Sequence, residues 1–258
     1  MNIVITGASA GIGYALALRY AKPGNRLGLI ARNVEKLANV KTLCIQQGAE
    51  VDTANIDVTD NQSLRRWLVN FDTHYPVDLV IANAGVTSIM PDTGETESWD
   101  AVSQVLDTNI HGVINTVYPL LEPMRQRRQG HIALISSLAA FYGLPIAPAY
   151  CASKSAVKAY GESLRGWLTP YRVKVSVVCP GFVKSELSDQ FTQPKLGMMS
   201  AEQAAYIIEQ GLSNGKAIIS FPYWLALGMR CLAFLPAKIA DKALLLFGYG
   251  SKAKAKHQ

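Results

Sequence analysis

Short runs of apolar and β-branched residues alternate along the chain with longer segments in which apolar positions recur every three to four residues. The short runs fall at residues 2–6, 26–30, 50–54, 77–82, 130–136, 173–179 and 216–220. Several, such as Ile3-Val4-Ile5 and the stretch from Val173 to Val178, are rich in β-branched residues and suit strands covered on both faces. Helical periodicity runs over 11–21, 34–47, 62–72, 98–127, 149–169 and 201–211. Ser200-Ala201-Glu202-Gln203 is a capping box that opens the last of these. Regular alternation of strand and helix implies parallel pairing through right-handed crossovers, hence an α/β fold with a doubly wound parallel sheet. No linker, repeat or low-complexity tract interrupts the pattern, which predicts one domain. Two of the helices are long, and they can either cover the sheet or offer an oligomer surface.

Composition narrows the class. The 258 residues are enough to bury a full core, and 49% hydrophobic with 17% charged residues excludes a disordered chain. The net charge is +6, but basic residues cluster only at the end, at Lys252, Lys254 and Lys256. A nucleic-acid binder would gather them on one face or helix, so no nucleic-acid partner is expected. Cys44, Cys151, Cys179 and Cys231 form no C-x-x-C pair, and His74, His111, His131 and His257 are dispersed. No metal site is expected, and a reducing compartment is. Met1 to Thr6 runs straight into a Gly-rich turn, so the first residues belong to the fold and the reading is cytoplasmic.

That turn is Gly7-Ala8-Ser9-Ala10-Gly11-Ile12-Gly13, between the first strand and the first helix. Glycine lets the chain turn sharply and lets backbone approach a pyrophosphate, while the helix N-terminus supplies free N–H groups and a positive dipole end. A dinucleotide site follows from this position in the fold. The second strand ends in Ala31-Arg32-Asn33, without the carboxylate that an NAD site uses for the ribose hydroxyl. Arg32 instead suits a 2′-phosphate, which favours NADP(H) over NAD(H).

Tyr150 and Lys154 lie four apart near the start of a helix and so share a face. A nearby ammonium, helped by an oxidised nicotinamide, favours the phenolate and lowers the phenol's pKa, fitting the tyrosine for general acid or base work. Ser137 follows an apolar strand and precedes Tyr150 by thirteen residues, where a hydroxyl can stabilise a developing oxyanion.

With these residues in order, the sequence resembles the short-chain dehydrogenase/reductase family. The resemblance runs from Asn2 to about Ser220 and rests on Thr6 to Gly13, Asp57-Val58, Asn83-Ala84-Gly85, Asn109, Ser137, Tyr150/Lys154 and Pro180-Gly181. It implies a seven-stranded Rossmann-type sheet of order 3-2-1-4-5-6-7. It also implies that Gly7, Gly11 and Gly13, with Ser9 and Ile12, form the cofactor turn, that Asp57 contacts the adenine, and that Asn83, Ala84 and Gly85 flank the cofactor. Asn109 would kink the long helix and hold a water on a proton relay through Lys154. Ser137 would polarise the carbonyl, Tyr150 would exchange the proton, and Lys154 would lower the tyrosine pKa and bind the nicotinamide ribose. Pro180 and Gly181, with Val183, would begin the loop over the nicotinamide. Ser185 stands where the family often has Thr, and Ala10 where its NADP enzymes often have a base, which leaves NADP selection mainly to Arg32.

The expected function is NADP-dependent interconversion of a ketone or aldehyde and an alcohol. A variable substrate lid at about 185–200 carries Leu187, Phe191, Leu196, Met198 and Met199. With Phe141, Tyr142, Leu144 and Phe182 it predicts an apolar pocket and a hydrophobic substrate. Beyond the dinucleotide-binding and catalytic part, 1–220, residues 221–258 read as an apolar helical extension with a basic tail. Pro222 to Leu235 is too short to span a bilayer. The extension can cap the pocket, form a subunit contact or rest peripherally on anionic lipid at the inner membrane face. A homodimer or homotetramer is implied by the resemblance. Two alternatives stand beside this reading: a lipid-ketone reductase at a membrane surface, and a nonenzymatic cofactor-binding regulatory protein.

Overall fold

A computed structural model describes residues 1–91 and 95–249. Seven strands, β1 Asn2–Thr6, β2 Arg26–Ala31, β3 Glu50–Asn55, β4 Leu79–Ala82, β5 His131–Ile135, β6 Lys174–Pro180 and β7 Ile218–Phe221, form one sheet of order β3-β2-β1-β4-β5-β6-β7. Every neighbouring pair is parallel. The order reverses between β1 and β4, the place where such sheets open a crevice for ligands. The protein is a single-domain, Rossmann-like α/β fold.

Two core layers follow from the period of two along the strands. Ile3 and Ile5 face α1 Gly11–Tyr20, α2 Val34–Gln46 and α8 Ala201–Ser213, whereas Val4 faces the opposite layer. That layer is built from α3 Asn61–His74, α5 Gly112–Arg127 and α6 Pro148–Leu168. β4 begins two residues later than the apolar run suggests. The Val77 N–H is taken by the Asp72 carboxylate at 2.8 Å, and Arg127 holds the other carboxylate oxygen at 2.9 Å. β7 is likewise shifted, because the Lys216 N–H donates to Gly211 O at 3.0 Å and closes α8 instead of joining the sheet.

The long helix expected over 98–127, with a kink at Asn109 implied by the resemblance, is three pieces: α4 Trp99–Leu106, a π-helical turn Asp107–His111 that contains Asn109, and α5. The widened turn carries the buried Thr108 and Asn109. A 3₁₀ turn, Leu138–Ala140, follows β5, and a short helix α7, Glu186–Asp189, starts the lid. Beyond β7, α9 Tyr223–Leu232 buries Ala226 and Met229 against the Leu138 region. α10 Ala237–Leu246 buries Ala240 and Leu244, and Leu244 packs with Ile146, Phe191 and Tyr249. Among the described residues no helix is long and apolar enough to cross a membrane. Lys252, Lys254 and Lys256 lie outside the described residues.

Candidate active site

One cleft of about 540 Å³ lies at the C-terminal ends of the central strands. At one end is the glycine turn, where Gly7 (φ +66°) and Gly11 (φ +52°) hold backbone that side chains rarely adopt. A Cβ on Gly7 would stand 2.9 Å from Ala84 Cα. Asn83 ties the turn to β4: its Nδ2 donates to Thr6 O at 3.0 Å and to Gly7 O at 3.2 Å. Gly13 does not face the cleft. A Cβ there would fall 2.2 Å from Gly7 O, so this glycine lets α1 pack against the turn. Ala10, the residue before α1, offers no side-chain cap, and the first turn of α1 has no acidic residue. Its leading N–H groups and positive helix end therefore fit the pyrophosphate of a dinucleotide.

Past the end of β2, Arg32 Nη1 donates to Asp57 Oδ2 at 3.3 Å, and both side chains are exposed. Partial burial raises the Asp57 carboxyl. Hydrogen bonds from Thr59 and the Arg32 charge outweigh it and hold the carboxyl below its ordinary value. Asp57 thus positions Arg32 as well as lining the cleft. Lys36, absent from the sequence reading, also lines this end, and its ammonium pairs with Glu186 of the lid. Its place in the first turn of α2, which Asn33 caps directly after Arg32, is the signal that could have found it.

In the middle of the cleft stand Ser137, Tyr150 and Lys154. Burial pushes the Tyr150 phenol up to about 12, although a hydrogen bond with Ser137 opposes this. Ser137 Oγ also accepts the Ala139 N–H at 3.1 Å, which fixes its rotamer. Lys154 Nζ lies 5.7 Å from the Tyr150 ring centre and donates to Ile135 O at 3.1 Å. Burial pushes the ammonium down to about 8. In the protein alone the phenol stands above its ordinary value because the loss of solvation is the largest influence on it; the lowering expected from Lys154 includes the help of an oxidised nicotinamide. Ser136 secures the helix by donating to Lys154 O at 2.7 Å.

Asn109 is fully buried behind this wall and does not line the cleft. Its Oδ1 accepts the Val86 N–H at 2.8 Å, and its Nδ2 donates to Val86 O and to Ser153 Oγ, each at 2.9 Å. The side chain thus fixes the irregular segment that follows Asn83-Ala84-Gly85. Ser185 likewise uses its hydroxyl locally, accepting from Ser188 N and capping α7, while its residue still borders the cleft. Ser9, Gly11, Ile12, Ala84, Gly85, Pro180, Gly181 and Val183 border it too.

The far end is apolar. Leu144, Phe182, Leu187 and Phe191 line it as the lid composition suggested. Phe191 meets the Tyr150 ring edge-on at 6.5 Å and Phe182 at 5.4 Å. Others of the expected set lie elsewhere. Phe141 packs under the Arg230 guanidinium at 4.6 Å, Met198 is exposed, and Met199 joins the α1–α8 core through a bridge to Val183. Leu225, Met229 and Tyr249 complete the wall and were missed. Tyr249 stacks on Phe182 at 6.5 Å and donates from its hydroxyl to Pro194 O at 2.7 Å, tying the C-terminal segment to the lid.

The family model described as short chain dehydrogenase matches residues 1–196. The chain belongs to that family. An uncharacterized oxidoreductase of Myxococcus xanthus (strain DK1622) is 34% identical over 93% of this chain and 94% of its own. The 11-beta-hydroxysteroid dehydrogenase-like 2 of Arabidopsis thaliana is 30% identical over 86% of this chain and 74% of its own. A short-chain dehydrogenase from Sphingobium yanoikuyae, solved in complex with NADPH, superposes with a TM-score of 0.80 at 20% identity, covering 100% of this chain and 98% of that one. This short-chain dehydrogenase is accordingly an NAD(P)-dependent oxidoreductase. Lys36 and the individual wall residues Leu225, Met229 and Tyr249, which the sequence reading did not name although it allowed the extension to cap the pocket, lie off the family motifs.

Proposed function

We propose that this short-chain dehydrogenase is a cytoplasmic, NADP(H)-dependent enzyme that reduces an apolar ketone or aldehyde to the alcohol. Reduction is the favoured direction, and the protein works as a homodimer or homotetramer. The observation that carries the reading is the convergence of Ser137, Tyr150 and Lys154 in the middle of one cleft whose far end is apolar, with the Tyr150 phenol pushed up to about 12 by the loss of solvation. Such a phenol is protonated at neutral pH and has a proton to give, and the Lys154 charge beside it offsets its weakened acidity. Bound NADPH supplies the hydride. The Ser137 hydroxyl holds and polarises the carbonyl oxygen, Tyr150 gives that oxygen its proton, and the Lys154 charge steadies the tyrosinate that remains. Asn109 acts at one remove, by positioning Val86 and Ser153. The glycine turn and α1 would receive the pyrophosphate, and Arg32 with Lys36 the 2′-phosphate. Leu144, Phe182, Leu187, Phe191 and Met229 would exclude water and favour an apolar substrate. The name of the Arabidopsis relative accords with an apolar substrate.

NADPH consumption across ketones graded from short and polar to long acyl tests the reading. Rates should rise with chain length, and Tyr150→Phe should lose roughly a hundredfold or more in turnover while still binding NADPH. A Tyr150→Phe variant with turnover near the parent would remove the tyrosine from the chemistry. A preference for short polar carbonyls would remove the apolar substrate.

A further inference from the structure

Helices α9 and α10 are apolar on two faces. One face of α9 is buried through Ala226 and Met229, and one face of α10 through Ala240 and Leu244. The rest should be polar if it met only water. On α9 it is instead Trp224 and Leu227, spaced as one helical stripe that Phe234 extends beyond the helix. On and after α10, Ile239, Leu245, Leu246 and Phe247 are exposed, and Phe234 and Leu246 are each 88% accessible. Isolated exposed apolar side chains are ordinary, but a cluster on two consecutive short helices marks an interaction surface.

Charge indicates what covers it. Residues 222–258 contain Arg230, Lys238, Lys242, Lys252, Lys254 and Lys256 against the single acid Asp241, so they carry five of the chain's six net positive charges. Lys238 and Lys242 are exposed on α10 among the apolar residues. A second copy applied to this face would bring the same positive charge against itself. An anionic bilayer would attract it and take up the aromatic and aliphatic side chains at the acyl boundary.

We infer that the α9–α10 face is a peripheral docking surface for anionic lipid bilayers. Leu225 and Met229 line the cleft from the other side of α9, so docking sets one wall of the pocket at the bilayer boundary. Docking is read without turnover and stands or falls independently of the reaction proposed above.

Flotation of the full chain with phosphatidylcholine vesicles, with and without phosphatidylglycerol, tests this. The protein should float with the anionic vesicles, less so at high salt, and remain behind with neutral ones. Phe234→Ser/Leu246→Ser should weaken partition by at least about tenfold, since each loses a fully insertable side chain. Lys238→Gln/Lys242→Gln should weaken it on anionic vesicles alone. Circular dichroism and thermal melting confirm that each variant is folded. Three results would overturn the inference: no flotation at low salt with either vesicle, equal flotation of Phe234→Ser/Leu246→Ser and the parent, or equal binding to neutral and anionic vesicles. Sedimentation velocity covers the competing occupant, because a dimer that Phe234→Ser/Leu246→Ser converts to monomer without any vesicle binding assigns the face to a second copy.

Discussion

Replacing Asn109 by Ala removes three hydrogen bonds of 2.8, 2.9 and 2.9 Å from a side chain with no solvent exposure. The Val86 N–H and C=O lose their partner together. Ser153 is less affected, because its hydroxyl still donates to Tyr150 O at 2.7 Å. A net hydrogen bond contributes about 1 kcal/mol, and a partner left unsatisfied costs about 1–3 kcal/mol. Val86 is only partly buried and recovers some solvation, so the sum comes to about 3 kcal/mol. For a domain of this size each kcal/mol moves the midpoint by about 2–4 °C, giving a fall of about 6–12 °C. Thermal and urea unfolding read this directly. The catalytic consequence differs from that of losing a group in the cleft: kcat should fall as the wall behind Lys154 loosens, while the pH dependence keeps its position. Asn109→Asp separates the two roles. Its carboxylate sits on the side of Gly85 that Lys154 Nζ also faces, and an anion there should move the alkaline limb upward. An Asn109→Ala midpoint within about a degree of the parent would refute the reasoning, since the three bonds would then be replaceable by water.

The Lys154 charge is present below about 8 and lost above it, so carbonyl reduction should decline as pH rises through about 8 in a kcat–pH profile. A rate that climbs across that range would contradict this. The same group makes a stability claim. Its folded pKa lies below its unfolded value, so the unfolded chain binds more protons between the two, and the urea midpoint should rise as pH increases above about 8. Arg32→Ala should raise KM for NADPH by roughly tenfold or more, the equivalent of about 1.5–3 kcal/mol for a charged hydrogen bond, and leave NADH almost unaffected. An unchanged ratio of the two cofactors would move selection to Lys36 or remove the preference.

What the sequence determined by itself is local. The glycine turn could be read because a strand end, a tight turn and a helix start occupy consecutive residues, and the geometry of each is set within a few residues. Tyr150 and Lys154 could be paired because i and i+4 share a helical face whatever surrounds them. Alternation of strand and helix predicted a parallel sheet, while the order of its strands came from resemblance, since pairing joins segments far apart in the chain.

Only the tertiary structure decided the rest. Gly13 turned out to face Gly7 and not the cleft, because the packing of α1 on the turn sets its direction. Asn109 met Val86, twenty-three residues away, through a π turn that no periodicity announces. The Tyr150 phenol rose in the protein alone, because desolvation depends on everything packed around it and not on the one lysine a turn away. The apolar wall drew on Leu225, Met229 and Tyr249, which reach the cleft only after the chain has passed β7 and folded back over the lid. Burial and long-range contact are properties of the packed molecule, and a sequence shows only which residues could supply them.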